Sequence, residues 1–246
     1  MSRAATARGI FGAALLLATW EVVARGFALP AYILPAVSSI LASLWTERTL
    51  LLAAAAVTLT ESIAGYAIGA IIGILLAALI AVLPPLRRTI LPVALAINAV
   101  PVVAFSPLVL LWFGIGTASK VVMVALAVGF TVFLAALAGF DRTDRRTVDL
   151  LRSFGAGPWT VLWRLRLPAA LPSIATGLRT STVRALIVAI VTEMLGAYAG
   201  LGWIIYQAVV QIDFVRVWSA IAAASACSLA FFALVATLER RLVFWR

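Results

Sequence analysis

The sequence predicts an all-α membrane protein of six transmembrane helices with both termini in the cytoplasm, and three observations carry that reading. Composition is the first: of 246 residues, 65% are apolar and 11% charged, with mean hydropathy +1.15. A soluble fold so composed has too little polar surface to cover its core, so lipid is the natural solvent. Spacing is the second. A span needs about 20 apolar residues to cross the roughly 30 Å hydrocarbon layer. Among the gaps between consecutive charged residues, 62–86, 89–119, 121–140, 194–212 and 217–238 are of that order or longer.

The third observation is the sidedness of charge. With the N-terminus inside, thirteen basic residues fall on cytoplasmic segments: Arg3, Arg8, Arg87, Arg88, Arg142, Arg145, Arg146, Arg152, Arg164, Arg166, Arg240, Arg241 and Arg246. Outside segments hold four, namely Arg25, Arg48, Lys120 and Arg216, and Arg179 and Arg184 are placed at the membrane edge of the fifth span. This is the positive-inside pattern. The net charge of +10 is therefore topogenic, and with no aromatic residues interleaved it gives no support to a nucleic-acid partner. A single cysteine, Cys227, and the absence of histidine exclude an intrachain disulfide, zinc motifs and histidine-based catalysis.

The first span, 10–28, follows Arg3 and Arg8 and lacks a convincing small-x-small cleavage site after its apolar run, so it reads as a retained helix rather than a signal peptide. In the second, 60–83, Gly65, Gly69, Gly73, Ala77 and Ala81 recur every fourth residue, a stripe that admits another helix of this chain or of a second copy. The third, 89–112, contains Pro92, Pro101 and Pro107. Proline frees backbone carbonyls that lipid cannot satisfy, so Asn98 and Pro101 are candidates to line a path or gate it. The fourth span is 120–140. The fifth is 177–197 rather than the uncharged stretch that follows it, because Gly196, Gly200 and Gly202 break a helix there. The sixth is 216–237.

Between the fourth and fifth spans lies a basic segment, 141–173. Asp141, Asp144 and Asp149 suit the start of a short helix, and Gly155 with Ala156 its left-handed stop. Gly157-Pro158 opens a second short helix, which Pro168 is expected to end. Within it, Trp159, Leu162 and Trp163 share one apolar face, suited to the bilayer surface or to a partner's groove.

This segment resembles the loop of the inner-membrane permease subunits of binding-protein-dependent ABC importers. That family's pattern is Glu-Ala-Ala, three residues, Gly, nine residues, Ile, one residue, Leu-Pro. Here Asp149-Leu150-Leu151, Gly155, Leu165 and Leu167-Pro168 stand at the matching places, with Asp for Glu, Leu-Leu for Ala-Ala and Leu for Ile. Leu34-Pro35, Pro101 through Gly116, the run from Leu167 to Pro172, Gly200-Leu201-Gly202 and Leu238 to Arg241 are similar to the branch importing aliphatic sulfonates, nitrate and taurine. Branches for pyrimidine precursors and riboflavin share much of the pattern. The resemblance implies that 141–173 is a coupling loop seated on a separate ATPase, present in two copies that bind ATP and magnesium. It also implies a second permease copy, as a homodimer, an extracytoplasmic binding protein and a place in the bacterial inner membrane. The chain is expected to bind no cofactor or metal and to be no enzyme: its lone lysine, Lys120, follows Thr117-Ala118-Ser119, so no phosphate loop exists.

Glu61 and Glu193 are costly in a bilayer and default to functional or paired roles. Glu193 is expected in the bundle interior or at a permease contact, serving gating or structure, and Glu61 near the outer interface or in the path. Nine residues separate Glu193 from Arg184, about 180° around a helix, so the two cannot pair. No basic residue falls clearly at mid-membrane, which suits an importer whose binding protein carries selectivity. An intramembrane enzyme lacks a catalytic set here. An ion-coupled transporter would call for repeats and polar spans that the sequence does not show.

Overall fold

A glycine at every fourth position of one long helix lets two backbones touch, and that contact organises the bundle. The computed structural model describes residues 3–242. Arg246, counted above among the cytoplasmic charges, lies outside them.

Eleven α-helices follow one another among the described residues: α1 Arg3–Gly26, α2 Val37–Thr46, α3 Arg48–Val82, α4 Arg87–Ala99, α5 Ser106–Phe113, α6 Thr117–Asp141, α7 Arg145–Ser153, α8 Pro158–Val161, α9 Leu167–Leu195, α10 Leu201–Val210 and α11 Phe214–Leu242. By length and composition five stretches can cross a membrane: Ala7–Gly26, Arg48–Val82, Thr117–Asp141, Pro158–Leu195 and Phe214–Arg241. A broken pair, Pro84–Ala99 and Val102–Phe113, supplies a sixth if counted as one span.

The sheath forms around α6, whose Met123, Val124, Ala127, Val128 and Val132 are fully buried. Gly65, Gly69 and Gly73 of α3 lie against it with no room for a side chain: a Cβ on Gly69 would fall 2.5 Å from the Ala125 carbonyl oxygen and 2.9 Å from the Gly129 amide nitrogen. The small-residue stripe thus serves packing within this chain. On the other side of α6, Gly139 meets Ala170 and Ser173, and Gly177 meets Ala135, which brings α9 equally close. A second apolar cluster joins Leu51, Ala54 and Ala55 of α3 to Leu201, Ile204, Ile205 and Ala208 of α10 and to Val217, Ala220 and Ala224 of α11. Helix α1 stands apart. Trp20 holds it edge-on to Trp218 at 4.9 Å and donates to the Pro35 carbonyl at 3.0 Å, while Glu21 accepts from the Ser38 amide and hydroxyl.

Three sequence expectations are corrected by this architecture. The third predicted span is not one kinked helix but two pieces bent by 85°. Val100 precedes Pro101 and is extended (φ −83°, ψ 130°), as proline demands of its predecessor. The helix around Glu61 starts at Arg48, twelve residues before the predicted boundary, because Glu61 is buried within the bundle and its charge does not end the helix. Pro168 ends nothing: α8 runs through a π-helical stretch, Leu162–Arg166, directly into α9. The wider turn accommodates a ring that would otherwise clash with the carbonyl one turn back.

Candidate coupling loop and buried polar cluster

The segment between α6 and α9 is built as a helix, a tight stop and a second helix. Asp144 caps α7, its carboxylate accepting from the Arg146 amide at 3.2 Å. At the other end Gly155 takes φ +82°; its amide donates to the Arg152 carbonyl at 2.9 Å and the Ala156 amide to the Leu151 carbonyl at 3.1 Å. These paired bonds are a Schellman stop, which requires a left-handed residue at the Gly155 position. Gly157 and Pro158 then start α8. Asp149 and Leu150 face solvent on α7 and Leu151 is half-buried.

The expected single face of Trp159, Leu162 and Trp163 is divided. Leu162 is 3% exposed and packs into the bundle beside Ala77, Ile80 and Phe140, whereas Trp159 and Trp163 are 57% and 62% exposed. Phe154 at 80% adds to this outward apolar surface. Leu162 lies about 100° around the helix from Trp163, which turns it inward while the two tryptophans, four residues apart, stay outward. Leu165 and Leu167 are half-buried and Pro168 is exposed. Arg166 fastens the segment to the bundle by donating to the Ala81 carbonyl at 2.6 Å, and Arg87 pairs bidentately with Asp141 at 2.7 and 2.8 Å. Neither anchor was legible in the sequence, since each partner lies on another helix.

At the opposite end of the bundle, Glu193 is completely buried and faces the interior. One carboxylate oxygen accepts from the Thr58 hydroxyl at 2.7 Å, the other from the Gly202 amide at 2.6 Å, and Thr58 in turn accepts from the Leu201 amide at 2.9 Å. The α9 carboxylate therefore ties α3 to the first turn of α10. Gly200, at φ +108°, leaves no space for a Cβ against the Glu193 carboxylate, so that turn admits only glycine. Glu61, 3% exposed, lies beside Glu193.

Lys120 was expected in an outside segment. It is 1% exposed, and its ammonium donates to the carbonyls of Ile115, Gly116 and Gly196, the last at 2.5 Å. It closes the α5–α6 turn over the end of α9. The position of a lone lysine between Gly116 and an apolar span was the one available signal. Asn98 and Pro101 stand at the α4 break, away from this cluster in hydrogen bonding; the Asn98 side-chain oxygen is buried with no hydrogen-bond partner. Arg184 does not pair with Glu193, as the helix angle required; it sits seventeen residues from the first and eleven from the last residue of α9 and donates to the Thr131 hydroxyl at 3.3 Å.

Among the described residues the chain is a multi-helix bundle with one sharply bent helix pair and an exposed helix-turn-helix between α6 and α9. Residues 69–244 match the family model described as the binding-protein-dependent transport system inner membrane component, and the chain belongs to that family. A probable ABC transporter permease protein of Haemophilus influenzae is 37% identical over 79% of this chain and 79% of its own. The formylaminopyrimidine transport permease protein ThiX of Halalkalibacterium halodurans is 32% identical over 94% and 93%, and the taurine transport system permease protein TauC of Escherichia coli is 35% identical over 51% and 46%. A chain from inward-facing conformations of the MetNI methionine ABC transporter shares the fold, with TM-score 0.64 at 18% identity, covering 78% of this chain and 97% of that one. The chain is accordingly a multi-pass inner-membrane permease subunit.

Proposed function

We propose that this chain forms the translocation path of an ATP-driven importer and is itself moved by a separate ATPase seated on the loop 141–173. The observation that carries the reading is the division of that loop: Leu162 and Arg166 anchor it to α3 and α6, while Phe154, Trp159 and Trp163 stand exposed. A rigidly attached helix with outward aromatic side chains is suited to seat in a partner's groove and to transmit its motion. Two permease copies pair with two ATPases, which bind ATP and magnesium, and an extracytoplasmic binding protein delivers the solute. The basic loop and both termini lie on the cytoplasmic side.

The solute is a small anion of the sulfonate, nitrate or taurine type. The relative named for formylaminopyrimidine transport, which spans nearly the whole chain, favours a second reading in which the same machinery passes a heterocycle. The test of the importer reading is purification in mild detergent: the cognate ATPase remains bound to the wild-type chain and is lost from a Trp159→Ala/Trp163→Ala variant that remains monodisperse. An ATPase equally retained by that variant would refute the proposed docking face.

A further inference from the structure

The loop-side half of α6 and α9 carries a polar groove that the apolar pattern of the fourth span conceals. On α6, Thr131, Ala135, Ala138 and Arg142 follow one another along one face; on α9, Ser173, Thr176, Thr180 and Arg184 do the same. All of these but Arg184 line an open cleft of about 430 Å³, which Arg184 reaches through its bond to Thr131. Its ends are tied by guanidinium groups, Arg184 to the Thr131 hydroxyl at 3.3 Å and Arg142 to the Ser173 hydroxyl at 3.5 Å. Each row spans eleven residues, so the two arginines stand about 16 Å apart along the groove.

No carboxylate neutralises this pair of charges: among the described residues neither Arg184 nor Arg142 has a salt bridge, whereas Arg179, five residues earlier on α9, is paired with Glu239 at 3.3 Å. An unpaired guanidinium in mid-helix is costly against lipid and belongs on a water-filled cavity. Arg184 uses one donor on Thr131 and has others available to an oxyanion. The hydroxyls of Thr131, Thr176 and Thr180 donate to carbonyls of their own helices and can turn to a passing solute.

We infer that the α6–α9 groove is an anion site within the permease, in which Arg184 receives a small oxyanion such as a sulfonate at mid-membrane and Arg142 draws it on to the loop-side mouth. This rests on the importer reading and gives it a substrate charge, which selects between the anionic solute and the heterocycle.

The test measures thiol modification in native membrane fragments carrying Thr180→Cys in a Cys227→Ala background. The probes are 2-sulfonatoethyl methanethiosulfonate and its trimethylammonium counterpart, each rate normalised to that of a free thiol in solution. A basic cleft raises the local concentration of anions, so the sulfonate reagent is expected to be favoured by about tenfold or more. That preference is expected to persist in Arg184→Lys and to collapse in Arg184→Gln. Failure of both reagents to react, equal rates, a cation preference, or a sulfonate preference unchanged by Arg184→Gln would each overturn the inference. Loss of ATPase co-purification bears on the importer reading alone and leaves these rate ratios unaffected, so the two failures are distinguishable.

Discussion

Replacing Gly155 isolates the backbone geometry of the loop 141–173 from its contacts. A Cβ built at Gly155 meets nothing within 4 Å, so a side chain there is not excluded by neighbours. What it must tolerate is φ +82°. The left-handed region costs an ordinary L-residue roughly 1–2 kcal/mol, and a tenfold population change corresponds to about 1.4 kcal/mol, so the Schellman stop should be depopulated about 5- to 30-fold relative to glycine. Because the ATPase is proposed to engage the loop only in that geometry, its apparent affinity for the permease should fall by up to the same factor. Gly155→Val should lie at the upper end, Gly155→Ala lower, and Gly155→Asn near wild type, since asparagine visits the left-handed region. Binding of purified ATPase to the permease in lipid nanodiscs measures this directly. Equal affinities across glycine, alanine and valine, or an asparagine variant as weak as valine, would refute the reasoning.

Other substitutions probe the bundle. Gly69→Val puts a Cβ about 1 Å too close to the α6 backbone for ordinary van der Waals contact; overpacking of this kind costs about 1–3 kcal/mol, and a lower melting temperature in detergent should report it. Glu193→Ala orphans the Gly202 amide while Thr58 turns to the Ala54 carbonyl already 3.2 Å away, a loss of about 1–3 kcal/mol. Glu193→Gln, which keeps one acceptor oxygen, should lose less, and the two are compared by thermal unfolding and by proteolysis of the 196–200 turn. Lys120→Met leaves the Ile115, Gly116 and Gly196 carbonyls without their shared donor and should raise amide exchange around Gly116 without affecting the loop 141–173.

What the sequence disclosed and what it hid follow from the range of the interactions involved. The charge-free stretch 121–140 coincides with α6 because Lys120 and Asp141 flank it, and the Gly155 stop was visible because a Schellman turn depends on neighbouring residues. The short helices α2 and α10 leave no mark in the span pattern, since neither is long enough to cross a membrane and each is held by packing. The Glu193–Thr58 bond joins residues 135 positions apart, and no local pattern foretells such a pairing. Sequence alone puts Arg184 at an edge because charges commonly bound apolar spans. A charge within a helix marks a boundary only if nothing in the bundle bonds to it, and here the Thr131 hydroxyl does so. The same reasoning explains Lys120, whose three carbonyl acceptors come from two separate turns.

The central claim is that this chain is moved by a partner's ATP hydrolysis acting through the loop 141–173. Uptake of radiolabelled taurine and of labelled aliphatic sulfonates into proteoliposomes tests it most directly, with the permease, its cognate ATPase and the binding protein reconstituted together. Accumulation is expected only when ATP and all three components are present, and is expected to disappear with Trp159→Ala/Trp163→Ala in the permease. Accumulation by the permease alone, driven by an ion gradient and indifferent to ATP, would contradict it.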